Sequence, residues 1–335
     1  MSLTGWPPSP TPELPRTTVP VAADLQPLLE LAGRREPGAP INVDERRESY
    51  RAICTAGRHL AAEVAEVLDS TLPGPHGDLP IRIYRAAGLG DGVPVILYLH
   101  GGGWTIGDLE GYDEQCRAVA STSGAVVVAL EYRLAPEHPF PAAVEDSWSA
   151  LCWVHEHASG LGVDPERLVV AGDSAGGNLS GVLSLMARDR GAPTIAHQFL
   201  IYPATDFDYD SGRWPSREEN AEGYFLELAT MRWFAENLAG DQDLTAEPLA
   251  APIRAAEHSG LAPATVTVAG FDPLRDEGLA YAEVLRVAGV PVEVIHHEEQ
   301  VHGYWIFAPL VPSCAAARDV DLAALRSAID ALSSD

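Results

Sequence analysis

Residues 169–181 read VVAGDSAGGNLSG. A β-branched run stops at a glycine, an aspartate and a serine follow, and two more glycines open what reads as a helix. Gly172-Asp173-Ser174-Ala175-Gly176 fits G-x-S-x-G, the sharp strand-to-helix turn that lifts a serine hydroxyl above a sheet edge. So tight a turn leaves no room for side chains at the glycines that flank the serine. In a chain with 30 glycines the pentapeptide alone is a weak signal. A phosphate-binding or purely structural glycine turn would look similar. Its place after a strand and before a helix makes it specific.

Working outward, short apolar runs alternate with helix-length segments from residue 80 onward. Strands are expected at 80–84, 94–100, 125–131, 167–172, 198–203, 264–270 and 291–296. Helices are expected at 110–123, 141–158, 175–190, 275–288 and 316–332. Several strands are continuous β-branched runs rather than alternating ones, as in parallel strands buried on both faces. The pattern predicts a doubly wound, mostly parallel sheet. Two regions depart from it. Residues 22–70 read as two helices, the second carried by AAEVAEVL at 61–68. Between Pro203 and Ala264 no strand is apparent, over a span far longer than an ordinary loop. Phe207, Tyr209, Trp214, Tyr224, Phe225, Trp233 and Phe234 lie there, fit for a small helical core, a pocket lining, or both.

A serine on such a turn needs a base and an orienting acid, which follow it in the order Ser, Asp or Glu, His. The strand ATVTVAG (264–270) runs into FDPLRDEG, which puts Asp272 just past its C-terminal end, the edge where open α/β sheets assemble ligand sites. Asp276 and Glu277 compete for the acid's role, but the first helical turn suits them to capping. The next strand leads to His302-Gly303, the natural base. His296 and His297 lie on the strand itself.

LYLHGGGW (97–104) ends another strand in three glycines. Acyl transfer builds charge on a carbonyl oxygen, and bare backbone N–H groups aimed at it stabilise that charge. A glycine loop after an early strand supplies such donors, with one more from the residue after the nucleophile, here Ala175. A P-loop is excluded because G-x-x-x-x-G-K needs a lysine, and the chain has none.

Together HGGGW (100–104), YRLAPEHPFPAA (132–143), GDSAGGNL (172–179), DPLRDEG (272–278) and HGY (302–304) resemble the hormone-sensitive-lipase-like esterases, the bacterial family IV group. The likeness spans about residues 80 to 310. It implies an α/β-hydrolase fold: a mostly parallel central sheet flanked by helices, with a helical cap. The expected division is an N-terminal segment with cap helices at 1–75 and a catalytic domain at 76–335, with a cap insertion at about 205–255. The implied activity is serine carboxylesterase, cleaving short- to medium-chain esters through an acyl-enzyme. Ser174 is then nucleophile, Asp272 acid and His302 base; Gly102, Gly103 and Ala175 form the oxyanion hole; His100 orders the glycine loop. No cofactor or metal is implied. The same triad would serve an amidase, lactonase or carbamate hydrolase. Receptor relatives without turnover lose a triad member, and here all three are present. The chain departs from the common pattern at Glu131 (often Asp), Tyr304 (often Phe) and Trp104 (often Phe or Tyr). Arg133 and Glu137 are expected to pin the loop behind the site, and homodimerisation through 291–296 is implied by the resemblance alone.

Composition bounds the partners. The net charge is −26, and all 22 basic residues are arginine. Such a surface repels nucleic acid and anionic membranes. Coding bias and salt adaptation both fit the missing lysine. No apolar run approaches the roughly 18 residues of a membrane helix. Residues 1–20 are proline-rich, without the features of a signal peptide. Four scattered cysteines, Cys54, Cys116, Cys152 and Cys314, suit free thiols in a reducing cytoplasm. The small-molecule partner expected is an ester.

Overall fold

A computed structural model describes residues 17–32 and 42–332; the proline-rich opening stretch at 1–16 lies outside the described residues. The strands are β1 (Glu66–Gly74), β2 (Gly77–Arg85), β3 (Val93–Leu99), β4 (Val126–Leu130), β5 (Val163–Asp173), β6 (His197–Ile201), β7 (Ala264–Phe271) and β8 (Val292–Val301). They form an eight-stranded sheet in the order β1-β2-β4-β3-β5-β6-β7-β8. β3 to β8 are mutually parallel, and the hairpin β1–β2 adds antiparallel to β4.

The helices in chain order are α1 (Gln26–Ala32), α2 (Val43–Thr55), α3 (Asp113–Ser123), α4 (Ala142–Glu156), α5 (Ala158–Leu161), α6 (Ala175–Arg190), α7 (Pro215–Glu219), α8 (Leu228–Ala239), α9 (Arg275–Val287), α10 (Tyr304–Phe307) and α11 (Pro312–Ala331). α3 packs with α11, and α4 with α6. The central strands are covered on both faces. Val95–Leu99, Val126–Leu130 and Leu168–Ala171 are all buried, which is why they read as unbroken apolar runs.

The expectation of a helix at 61–68 is corrected. Residues 66–74 form β1, paired along its length with β2 through a two-residue turn at Pro75-His76. The Ala/Glu/Val composition favours a helix only locally. The cross-strand ladder outweighs it, because β propensity depends on the neighbours a strand finds. The sheet therefore starts at residue 66, ahead of 76. The helix in this region is instead α2, capped by the Asn42 side chain, which accepts from the Glu45 N–H at 3.1 Å.

Between β6 and β7 there is no strand, as expected: the insertion carries α7, α8 and a 3₁₀ turn at Pro252–Arg254. It is tied to α9 by buried charge. The Arg217 guanidinium donates to Glu277 Oε2, and Oε1 accepts the Thr205 N–H at 2.7 Å and the Asp206 N–H at 3.2 Å. Asp276 Oδ2 accepts the Ser216 N–H at 2.7 Å. Both competitors of Asp272 are thus committed to anchoring the insertion. Burial pushes the Glu277 carboxyl up to about 7, against the opposing pull of Arg217. Arg217→Met strands that carboxylate in the core and costs about 3–5 kcal/mol, read as a lower urea midpoint at pH 8. The deficit shrinks at pH 5, where Glu277 takes up a proton. An unchanged midpoint at pH 8 contradicts the account.

Candidate active site

Register brings the site together. Phe271 on β7 pairs with Val301 on β8, so the next residue of each strand, Asp272 and His302, emerge side by side at the C-terminal edge. Leu99 on β3 pairs with Gly172 on β5, which sets the glycine loop beside the serine turn. Ser174 itself sits at φ 55°, ψ −114°, a conformation an L-residue adopts only under constraint. The Ser174 N–H donates to Ile201 O at 2.8 Å, and the Asn178 and Ala204 N–H groups donate to Ser174 O at 3.0 and 3.2 Å. Gly176 has no alternative here, because a Cβ would drive into the Leu99 carbonyl.

A continuous hydrogen-bond chain results. Ser174 Oγ–H donates to His302 Nε2 at 3.0 Å, and His302 Nδ1–H donates to Asp272 Oδ2 at 2.7 Å. Asp272 and His302 are buried while Ser174 stays partly open. Asp272 Oδ1 accepts the Leu274 N–H at 2.8 Å, and Asn220 Nδ2 donates to the Asp272 carbonyl at 3.2 Å. His297 goes elsewhere: its Nε2–H donates to Asp321 at 2.7 Å, and the Tyr304 hydroxyl donates to the same carboxylate. The hydroxyl that distinguishes Tyr304 thus ties the loop after His302 to α11. His296 is half-buried beside it.

The glycine loop faces this chain. Gly102 and Gly103 lie at φ 107° and 57°, and a Cβ on Gly103 would strike the Phe234 ring. Among the described residues the N–H groups of Gly102, Gly103 and Ala175 have no protein acceptor, whereas the Gly101 N–H donates to Asp173 Oδ1 at 2.9 Å. His100 stacks on Tyr132, with ring centroids 4.2 Å apart, and its Nδ1–H donates to the Gly101 carbonyl at 2.8 Å. Arg133 and Glu137 brace the next loop separately. Arg133 grips Asp146 on α4, with Nη2 to Oδ1 at 2.7 Å, and Glu137 receives Arg47 of α2, with Nη2 to Oε2 at 2.7 Å. Glu131 Oε2 accepts the Leu109 N–H at 3.0 Å.

Gly102, Gly103, Ser174 and His302 open onto a cavity of about 50 Å³, walled by Trp104, Tyr209, Phe225, Leu226, Met231, Phe234 and Ile306. Three of the seven insertion aromatics therefore reach the site. Of the others, Trp214 is buried with its Nε1–H on Asp206 at 2.9 Å, and Tyr224 packs on Phe271. No group of three or more metal-ligating side chains gathers among the described residues.

Motif reading missed Asp173, the residue that immediately precedes the serine in its turn. Its carboxylate is wholly buried and also accepts the Tyr98 hydroxyl at 3.4 Å and the Tyr112 hydroxyl at 3.1 Å. The signal was available, since an aspartate closing a buried strand must find donors. Burial pushes its carboxyl up to about 6 from 3.8, against the pull of the Tyr112 hydroxyl, the nearby His302 and the Gly101 N–H. A raised native pKa means the folded state binds more protons between these values. The resulting stabilisation is full below about 3.8 and fades as pH rises through about 6. Relative to Asp173→Asn, the wild type should therefore lose unfolding free energy, about 3 kcal/mol, between those pH values. Parallel pH–stability curves from urea melts would refute this.

The comparisons with known proteins agree with the geometry. A family model described as the alpha/beta hydrolase fold matches residues 96–306. The chain is 46% identical over 263 residues to the esterase LipI of Mycobacterium tuberculosis, covering 78% of this chain and 81% of that one. It is 36% identical over 269 residues to an ethyl acetate hydrolase of Pseudomonas putida, covering 78% and 83%. A solved hyperthermophilic esterase from Pyrobaculum calidifontis superposes with a TM-score of 0.87 at 38% identity, covering 92% of this chain and 99% of that one. The chain belongs to the α/β-hydrolase fold family, in the hormone-sensitive-lipase-like branch that its motifs resemble.

Proposed function

We propose that the protein is a serine carboxylesterase acting on short- to medium-chain esters. The observation that carries this reading is the unbroken chain Ser174–His302–Asp272, opening onto an apolar cavity beside N–H groups with no protein acceptor. Ser174 Oγ attacks the ester carbonyl while His302 Nε2 takes its proton. Asp272 holds the imidazole with Nδ1 protonated and stabilises the imidazolium that forms. The tetrahedral oxyanion rests against the Gly102, Gly103 and Ala175 N–H groups, the last of them at the N-terminus of α6, where the helix dipole favours negative charge. His302 then returns the proton to the leaving alcohol, and water repeats the cycle on the acyl-enzyme.

The narrow cavity supports short acyl groups, and relatives named esterase and ethyl acetate hydrolase support ester substrates. The cap is assigned to the N-terminal segment and the insertion at about 205–255. Tyr50 of α2 and Phe234 of α8 line the same cavity as Ser174, which supports this. The proposal further includes a reducing cytoplasmic location, supported by the unpaired Cys54, Cys116, Cys152 and Cys314, and a homodimer through the open edge of β8, which sedimentation velocity would test. No helix among the described residues is long and apolar enough to cross a membrane.

A p-nitrophenyl ester series from C2 to C16 tests the substrate reading. Activity should peak at short chains and fall sharply beyond about C8, since each added methylene must find apolar room the cavity lacks. Undiminished turnover at C16, or amide cleavage matching that of esters, would displace the proposal.

A further inference from the structure

We propose that Asp173 is a positioning residue for the reaction, and that helix α2 sets the aim of the glycine loop through the hydroxyl chain Tyr50–Tyr112–Asp173. The inference rests on reading Gly102 and Gly103 as the oxyanion donors. Its basis is a line of contacts running from the N-terminal segment to the backbone of those two residues.

Tyr50, on α2, lies 2.7 Å hydroxyl to hydroxyl from Tyr112. Tyr112 spends its single proton on Asp173 Oδ2 at 3.1 Å, so its oxygen must accept from Tyr50. Asp173 Oδ1 receives the Gly101 N–H at 2.9 Å. The far side of Gly101 is held as well, because its carbonyl accepts from His100 Nδ1. That carbonyl and the Gly102 N–H belong to one planar peptide group and point in opposite directions. Fixing Gly101 at its N–H and at its C=O therefore fixes where the Gly102 N–H points. The same aspartate immediately precedes Ser174, so one residue refers the donor loop to the nucleophile.

α2 grips the other end of the loop too. Arg47, three residues before Tyr50, donates from Nε to the Thr105 carbonyl at 2.9 Å and from Nη2 to the Ala135 carbonyl at 3.1 Å. A buried carboxylate is costly unless its lone pairs are filled. Here the donors filling them come from β3 (Tyr98), the glycine loop (Gly101) and the turn before α3 (Tyr112). Tyr50 and Cys54 of α2, Tyr202 after β6 and His302 stand around the same charge. Such a cluster beneath the turn, joined by its outermost hydroxyl to a cap helix, holds the loop in place. Docking of α2 is then a condition of catalysis as well as a cover for the substrate.

The test is Tyr50→Phe, Tyr112→Phe and the double variant, each lacking only hydroxyl oxygen, with p-nitrophenyl butyrate as substrate. A trifluoromethyl ketone, which forms a tetrahedral oxyanion on the serine, serves as inhibitor. Each single variant should lose about tenfold in kcat with KM within about twofold, less than the hundredfold or more for deleting a donor outright. The ketone's Ki should rise by the factor by which kcat/KM falls, as for any loss confined to the transition state. The double variant should be no worse than either single, because the hydroxyls act in series. Asp173→Asn, which keeps an oxygen for the Gly101 N–H, should retain more activity than Asp173→Leu. If the Phe variants melt lower but keep kcat and Ki, the hydroxyls are merely structural and the proposal falls. Independent, multiplicative losses overturn it equally. If the ketone fails to inhibit the wild type, or Ser174→Ala stays active, the esterase reading itself has failed.

Discussion

Ser174→Ala should lower kcat for p-nitrophenyl butyrate by roughly a millionfold, with the fold intact. Alanine keeps the Cβ, so the φ 55° conformation costs the variant no more than the wild type. The Ser174 side chain makes no helix-capping hydrogen bond whose loss would loosen α6. What disappears is the atom that forms the acyl-enzyme. The free N–H groups remain, and a residual rate some thousandfold above water is the expected floor. Removing His302 in addition should add almost nothing, because nucleophile and base act as one unit. A fluorophosphonate should label the wild type and leave the variant unmarked. A kcat within tenfold of wild type would put the nucleophile elsewhere.

Asp272→Asn should cost about ten-thousandfold in kcat and little in KM. The local hydrogen bonds dictate why. The Leu274 N–H donates to Oδ1, so an asparagine must place its carbonyl oxygen there and turn its NH2 toward His302. His302 Nδ1 then has to accept, which moves the ring proton to Nε2, facing Ser174 Oγ. In that tautomer the imidazole can no longer take the serine's proton. Asp276 and Glu277, both engaged by the insertion at Ser216, Thr205 and Arg217, are too committed to substitute. If Asp272→Asn kept a tenth of wild-type activity, the acid would have to be sought among them.

How much was legible follows from the reach of each signal. Val95–Leu99 and Val126–Leu130 announce themselves because burial on both faces demands apolar residues at every position. β1 did not, since only Leu72 on it is buried and its local composition suits a helix. Its evidence lies in β2, eleven to nineteen residues away in pairs such as Ser70–Ile81 and Glu66–Arg85. The aromatics of the insertion were visible as a group, but Tyr209 at the cavity and Trp214 in the core differ by placement and not by type.

The amino-acid sequence by itself determined the order of the chemistry: a serine turn, an acid and a base, each just past the end of its own strand, and a glycine loop before them. Those features are local, since each is a turn whose backbone tolerates only certain residues. The tertiary structure alone decided which side chains meet. It joined Asp272 to His302 through the Phe271–Val301 register, gave Asp276 and Glu277 to the insertion, and set Tyr50 against Tyr112 from 62 residues away. A hydrogen bond needs two groups within about 3 Å, and the chain's linear order carries no such distance.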